Sequence, residues 1–83
     1  MTRPNIPTIY ETLVTEIGGE ATAQKVMALT RATIRVIAKQ RGMQQTEVIA
    51  YIERLIEEDD SIEQRQKRHM HLALEVIAEE QTL

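Results

Sequence analysis

The chain has no cysteine, no tryptophan and no phenylalanine. Without cysteine there is neither a disulfide framework nor a thiolate metal site, and the redox compartment is left open. Aromatic rings supply the largest buried area per residue, and here only Tyr10 and Tyr51 carry one. The core must therefore be aliphatic, and the supply is ample: ten Ile, six Leu, five Val and four Met in 83 residues. One domain, residues 1–83, is implied by that length, which lies below the size at which a single core is comfortably self-sufficient. A small chain lacking Phe and Trp is expected to borrow a partner's surface, so a homodimer is the expected assembly. No apolar run approaches a membrane span, and "MTRPNIPTIYETL" has no leader-like apolar centre. A soluble, cytoplasmic protein with no membrane partner is the expectation.

Glycine and proline are scarce, three and two, so the few present punctuate sharply. Thr8 followed by Glu11 fits a capping box, and Ile6, Ile9, Leu13 and Ile17 then recur at helical spacing up to a stop at Gly18-Gly19. The β-branched residues Thr8, Ile9, Thr12, Val14 and Thr15 leave a strand open as the alternative there. A second helix is predicted from about Glu20 to Arg41. At about 100° per residue, Ala23, Val26, Met27, Thr30, Thr33, Ile34, Ile37 and Ala38 share one face, widened by Leu29 and Val36, which implies cover on two sides. Gly42 ends the helix in a left-handed cap, with Met43 placed for the accompanying apolar contact.

Thr46 is expected to cap a third helix with Val48, Ile49, Ile52, Leu55 and Ile56 as its stripe. Carboxylates oppose the dipole at a helix C-terminus and favour it at an N-terminus. The run "EEDDS", with Ser61 and Gln64 as a second capping box, therefore predicts a break near Asp59 to Ser61. A fourth helix then runs from Ile62 to about Glu80, packing through Ile62, Met70, Ala73, Leu74 and Ile77; one long kinked helix is the alternative. The fold class is all-α, a small domain of three or four helices forming a dimeric helical bundle. The candidate dimer seam is Val48, Ile52, Leu55, Ile56, Met70, Ala73 and Ile77.

The net charge of −3 conceals a segregation. Lys25, Arg31, Arg35, Lys39 and Arg41 lie on the second helix with no acidic residue between Ala21 and Gly42. Glu47, Glu53, Glu57, Glu58, Asp59, Asp60 and Glu63 follow against Arg54 alone, and "RQKRHMH" makes a second basic cluster at residues 65–71. Such blocks suit antiparallel helices that neutralise each other, or a face kept for phosphates. Arg31, Arg35 and Lys39, spaced i, i+4, i+8 and joined by Lys25, form a ridge opposite the apolar face.

Little in the sequence suggests reaction chemistry. No glycine-rich phosphate loop is present, and no Ser, Lys or His sits in a nucleophile constellation. His69 and His71, two apart on a helix, diverge by about 200° and cannot chelate one metal together. The carboxylates of residues 57–63 lack the bent loop of a calcium site. No enzyme, no cofactor and no metal is expected.

Two resemblances bear on function. "RGMQQTEVIAYIERLIEE", within residues 31–58, is similar to the second half of ribbon-helix-helix regulators. Gly42, Met43, Thr46, Glu47, Val48 and Ile49 match that family's structural positions, and Ile34, Ile37 and Ala38 match its preceding helix. The family's basic, β-branched strand is replaced here by "EATAQKVMA". The stretch "TAQKVMALTRATIRVIAKQRG", residues 22–42, resembles a helix-turn-helix, with a turn at Ala28-Leu29 and Leu29, Ile34 and Ile37 locking the two helices. That resemblance implies Arg31 and Arg35 in a major groove and Lys39 near a phosphate; Gln24 and Ala28 depart from its pattern.

The sequence thus points to a small non-enzymatic interaction or regulatory module that self-associates and binds a macromolecular partner, a protein before a nucleic acid. A DNA-binding transcriptional regulator is the alternative. Lys25, Arg31, Arg35, Lys39 and Arg41 are the candidate contacts for DNA or an acidic partner.

Overall fold

The computed structural model describes residues 6–81, with side chains from Thr8 onward. Four helices follow one another: α1 (Ile6–Ile17), α2 (Glu20–Arg41), α3 (Gln45–Glu58) and α4 (Gln64–Gln81). The all-α expectation and the break between α3 and α4 are met, and no strand occurs among the described residues. The β-branched residues of α1 are accommodated as helix. The Thr12 hydroxyl donates to the Thr8 carbonyl at 3.1 Å, and Thr30 and Thr33 on α2 do the same to Val26 and Leu29 at 2.7 and 2.9 Å. Bonding back to residue i−4 lets a threonine sit inside a helix with its hydroxyl satisfied.

The helix starts differ from those read in the sequence. Helix α1 begins at Ile6, two residues before Thr8, because proline is tolerated in a first turn whose N–H groups have no intrahelical acceptor. Thr8 is therefore inside the helix and not its cap; the side chain of Ile6 lies outside the described ones. At α3 the cap is Gln44, not Thr46. Glu47 Oε1 accepts the Gln44 N–H at 2.9 Å, so Glu47 closes a first turn that starts two residues earlier than expected. Ser61 does not cap α4 either. Its N–H and hydroxyl both donate to Asp59 Oδ1, at 2.9 and 2.6 Å. These bonds, the hydroxyl first, hold the Asp59 carboxyl below its ordinary range. Asp59 is extended (φ −91°, ψ 103°), and the chain needs five residues of turn before α4 starts at Gln64.

The glycines act as read. Gly18 and Gly19 have φ of 93° and 147°, and both donate to the Val14 carbonyl, at 3.1 and 3.0 Å. Gly42 is left-handed (φ 63°, ψ 36°), Met43 N donates to the Ala38 carbonyl at 3.0 Å, and the Met43 side chain packs on the core. A Cβ at Gly42 would meet no atom within 4 Å, so a substitution there carries backbone strain and no clash. Gly42→Val should destabilise by about 1–2 kcal/mol and Gly42→Asn by less, read as shifts in the urea midpoint. Equal midpoints for the three proteins would contradict the left-handed cap.

Side-chain contacts fix the helix directions. Gln81 Nε2 donates to Gln45 Oε1 at 2.6 Å and Lys67 Nζ to the Glu57 carbonyl at 3.0 Å, so α3 and α4 are antiparallel. Arg68 at the start of α4 holds Glu16 at the end of α1, which makes α1 and α4 antiparallel as well. Helix α4 packs on the other three, whereas α1 and α3 lie apart on its two sides. The core is aliphatic: Ile9 and Leu13 from α1, Ala23, Met27 and Ile34 from α2, Val48, Ile49 and Ile56 from α3, and Ala73, Leu74, Val76 and Ile77 from α4.

Helix α2 runs unbroken through Ala28 and Leu29, where the helix-turn-helix resemblance implied a turn. The alanine-rich, continuously amphipathic sequence gives no residue that would interrupt the ladder. Its apolar arc is covered on one side only: Leu29 is 65% exposed and Val36 52%.

Candidate functional site

The five basic residues of α2 separate into two groups. Arg31 is engaged: its Nε and Nη2 donate to Glu80 Oε1 and Oε2 at 3.2 and 2.7 Å, a bidentate pair that ties α2 to the end of α4. Arg41 is engaged too, its guanidinium carbon 5.4 Å from the centroid of the Tyr51 ring, within cation–π range. Lys25, Arg35 and Lys39 are exposed, and their side chains make no ion pair or hydrogen bond among the described residues. Since α2 turns about 100° per residue, Lys25 and Lys39 border the side on which Leu29, Thr33 and Val36 emerge. The outer face of α2 is thus an apolar stripe with a cationic edge.

The acidic helix does not neutralise this ridge. Glu53 and Glu57 of α3 instead face α4, where His71 Nδ1 lies 3.7 Å from Glu53 Oε2 and Nε2 lies 3.2 Å from Glu57 Oε1. The latter contact is close but not aligned as a hydrogen bond. His69 turns the other way, into a groove shared with Ile17, Val26, Ile62, Gln66 and Met70. The two histidines therefore part company as their spacing dictates, and no group of three His, Asp or Glu among the described residues could hold a metal ion.

The second basic cluster contains residues whose roles the sequence did not reveal. Lys67 is 6% exposed, its stem inside the bundle and its ammonium on the Glu57 carbonyl at 3.0 Å. A cation there satisfies an orphan carbonyl and complements the negative end of the α3 dipole. Arg68 Nε and Nη2 donate to Glu16 Oε1 and Oε2 at 2.5 and 2.6 Å. This bidentate bond holds the Glu16 carboxyl below its ordinary value and raises Arg68 above its own. The available sequence signal was a carboxylate-rich helix end followed within ten residues by a lysine on the next helix.

The expected dimer seam divides. Val48, Ile56, Ala73 and Ile77 are buried within the chain's own core and are not presented to another molecule, because antiparallel packing of α3 on α4 turns their stripes against each other. Ile52 is half-buried on the core's edge. Leu55 and Met70 remain at the surface, 47% and 38% exposed. On α3, Glu53 and Glu57 face α4, whereas Tyr51, one turn before Leu55, touches Arg41 of α2.

No helix among the described residues is long and apolar enough to cross a membrane. Compared with known proteins, the chain matches no family model, no curated protein and no solved structure.

Proposed function

We propose that the chain is a small non-enzymatic interaction module, regulatory in character, that offers the outer face of α2 to a macromolecular partner, and that this partner is a protein. The observation carrying the reading is the pairing, on one helix face, of exposed Leu29 and Val36 with the unpaired cations Lys25 and Lys39 at its edge, with unpaired Arg35 further round the helix. Phosphates would use the cations alone, whereas exposed aliphatic side chains gain only from apolar cover. The fitting partner is apolar along its middle and acidic along an edge.

A DNA-binding regulator is the second reading, supported by the same three unpaired cations. Two features weigh against it: Arg31, expected in the groove, is engaged by Glu80, and the overall charge of −3 opposes a duplex.

The test is amide-shift mapping by NMR with two probes. One is a synthetic amphipathic helix whose leucine stripe is bordered by glutamate, the other a duplex DNA at low salt. The first should perturb residues around Leu29 and Val36, and the second should leave them unmoved. If duplex DNA binds instead, with affinity falling steeply in salt, the nucleic-acid reading replaces this one. In that case Lys25→Ala, Arg35→Ala and Lys39→Ala should each flatten the salt slope by about one unit. A chain that binds neither probe overturns both readings.

A further inference from the structure

In its first half, the outer face of α2 adjoins the apolar groove that His69 enters. Val26 is the α2 wall of that groove, Ile17 closes it from the end of α1, and Ile62 and Met70 line it from the start of α4. Its volume is about 390 Å³, within the range of natural binding pockets, and the polar side chains lining it are Gln66 and His69. Val26 and Leu29 are three residues apart and so adjacent on the helix surface. At about 100° per residue, Val26 lies about 60° to one side of Leu29, and Lys25 and Lys39 lie about 40° and 80° to the other. Val36 is about 20° from Leu29 by the same spacing. A groove, an apolar line and a cationic edge therefore adjoin on one helix.

From this layout we infer that the face takes a single amphipathic helix of an acidic partner protein, and that the groove seats one aromatic side chain of that helix, Trp or Tyr. The inference rests on the interaction-module reading and specifies its partner. Interface energy concentrates in aromatic anchors that fill pockets. Here the thioether of Met70, 38% exposed, favours contact with a ring edge, and Gln66 and His69 offer acceptors for an indole N–H or a phenol O–H. Charge sets the opposite flank. Helix α2 carries no carboxylate from Ala21 to Gly42, so the groups that meet Lys25 and Lys39 must come from the partner. Those two lysines are fourteen residues apart, about 21 Å along the axis, a span that about four turns of a partner helix match. A second copy of this chain fits less well. Packing α2 on α2 sets the cationic edges together when antiparallel, and gives them no carboxylate from α2 when parallel. The chain also has no Trp, and Tyr10 and Tyr51 are half-buried in its own fold.

The probe is a synthetic helix with one tryptophan, leucines along its apolar stripe and glutamates on the flank that meets the cationic edge. Since the chain has no tryptophan, emission reports the anchor alone. It should shift to the blue on binding, and the amides of Ile17, Ile62 and Met70 should move with those of Leu29 and Val36. Met70→Asp, at an exposed position, should weaken the probe at least about tenfold. The same variant should change by less than about twofold the affinity of a probe with alanine in place of tryptophan, which isolates the anchor from any general defect. If Met70→Asp loses its helical circular dichroism, Met70→Gln carries the same comparison with a smaller difference. Lys25→Glu/Lys39→Glu should weaken the glutamate probe and favour one with lysines in their place. Binding that moves Leu29 and Val36 but leaves the groove amides and the emission unchanged would overturn the anchor and retain the interaction-module reading. No binding, or a preference for duplex DNA, would remove both. A wild type that self-associates in sedimentation and is made monomeric by Leu29→Asp would put a second copy on this face and overturn the acidic helix as its occupant.

Discussion

Ile34→Ala should cost the fold about 2–5 kcal/mol, whereas Leu29→Ala should cost almost nothing. Ile34 is fully buried on α2, at 0% exposure against 65% for Leu29. Truncating a buried isoleucine loses its transfer free energy and leaves a cavity that neighbours fill only in part. A domain of this length is stable by about 4–12 kcal/mol in all, so the single substitution removes a large part of the margin. Urea unfolding followed by circular dichroism measures both variants. A Leu29→Ala loss comparable to that of Ile34→Ala would mean that α2 is covered on both sides within one chain.

The second large effect is expected at Lys67. Lys67→Glu should destabilise by about 3–5 kcal/mol, because it buries a carboxylate against the Glu57 carbonyl and the negative end of the α3 dipole with no compensating charge. Lys67→Met keeps the apolar stem and loses only the ammonium, so its cost should be about 1–2 kcal/mol. The sign with pH is also fixed. Burial and the dipole would raise the new carboxyl's folded pKa above its unfolded value, so the Lys67→Glu penalty should shrink as pH falls through that folded pKa. Thermal melts of the three proteins at neutral and mildly acid pH test this. Equal stability of Lys67→Glu and wild type at neutral pH would show that the residue 67 side chain lies in solvent.

The separation between Ile34 and Leu29 marks where sequence pattern stops being informative. Helical periodicity placed both on one broad apolar face, and it was right about the helix. It could not say which part of the arc faces the bundle, because that depends on where α3 and α4 are set down. The stripe of α3 and α4 posed the same problem: Val48, Ile56, Ala73 and Ile77 read as a seam between chains, yet they seal the chain's own core. An apolar stripe needs a partner surface, and nothing local distinguishes a neighbouring helix from a second molecule. The five cations of the second helix were legible, four of them as a ridge, but their engagement was not. Glu80 lies 49 residues from Arg31, and a pair that distant leaves no trace in local pattern.

By itself the sequence determined the helices and their ends wherever backbone chemistry decides the outcome. The positive φ of Gly18, Gly19 and Gly42 follows from the absence of a Cβ, and the break after Glu58 follows from carboxylates opposing a dipole. Tertiary structure decided which apolar residues are spent on the core, that Lys67 closes α3, and that Arg31 and Arg41 are engaged while Lys25, Arg35 and Lys39 are not. These outcomes arise from contacts between helices far apart in the chain, whose geometry is set by packing the aliphatic stripes together as one.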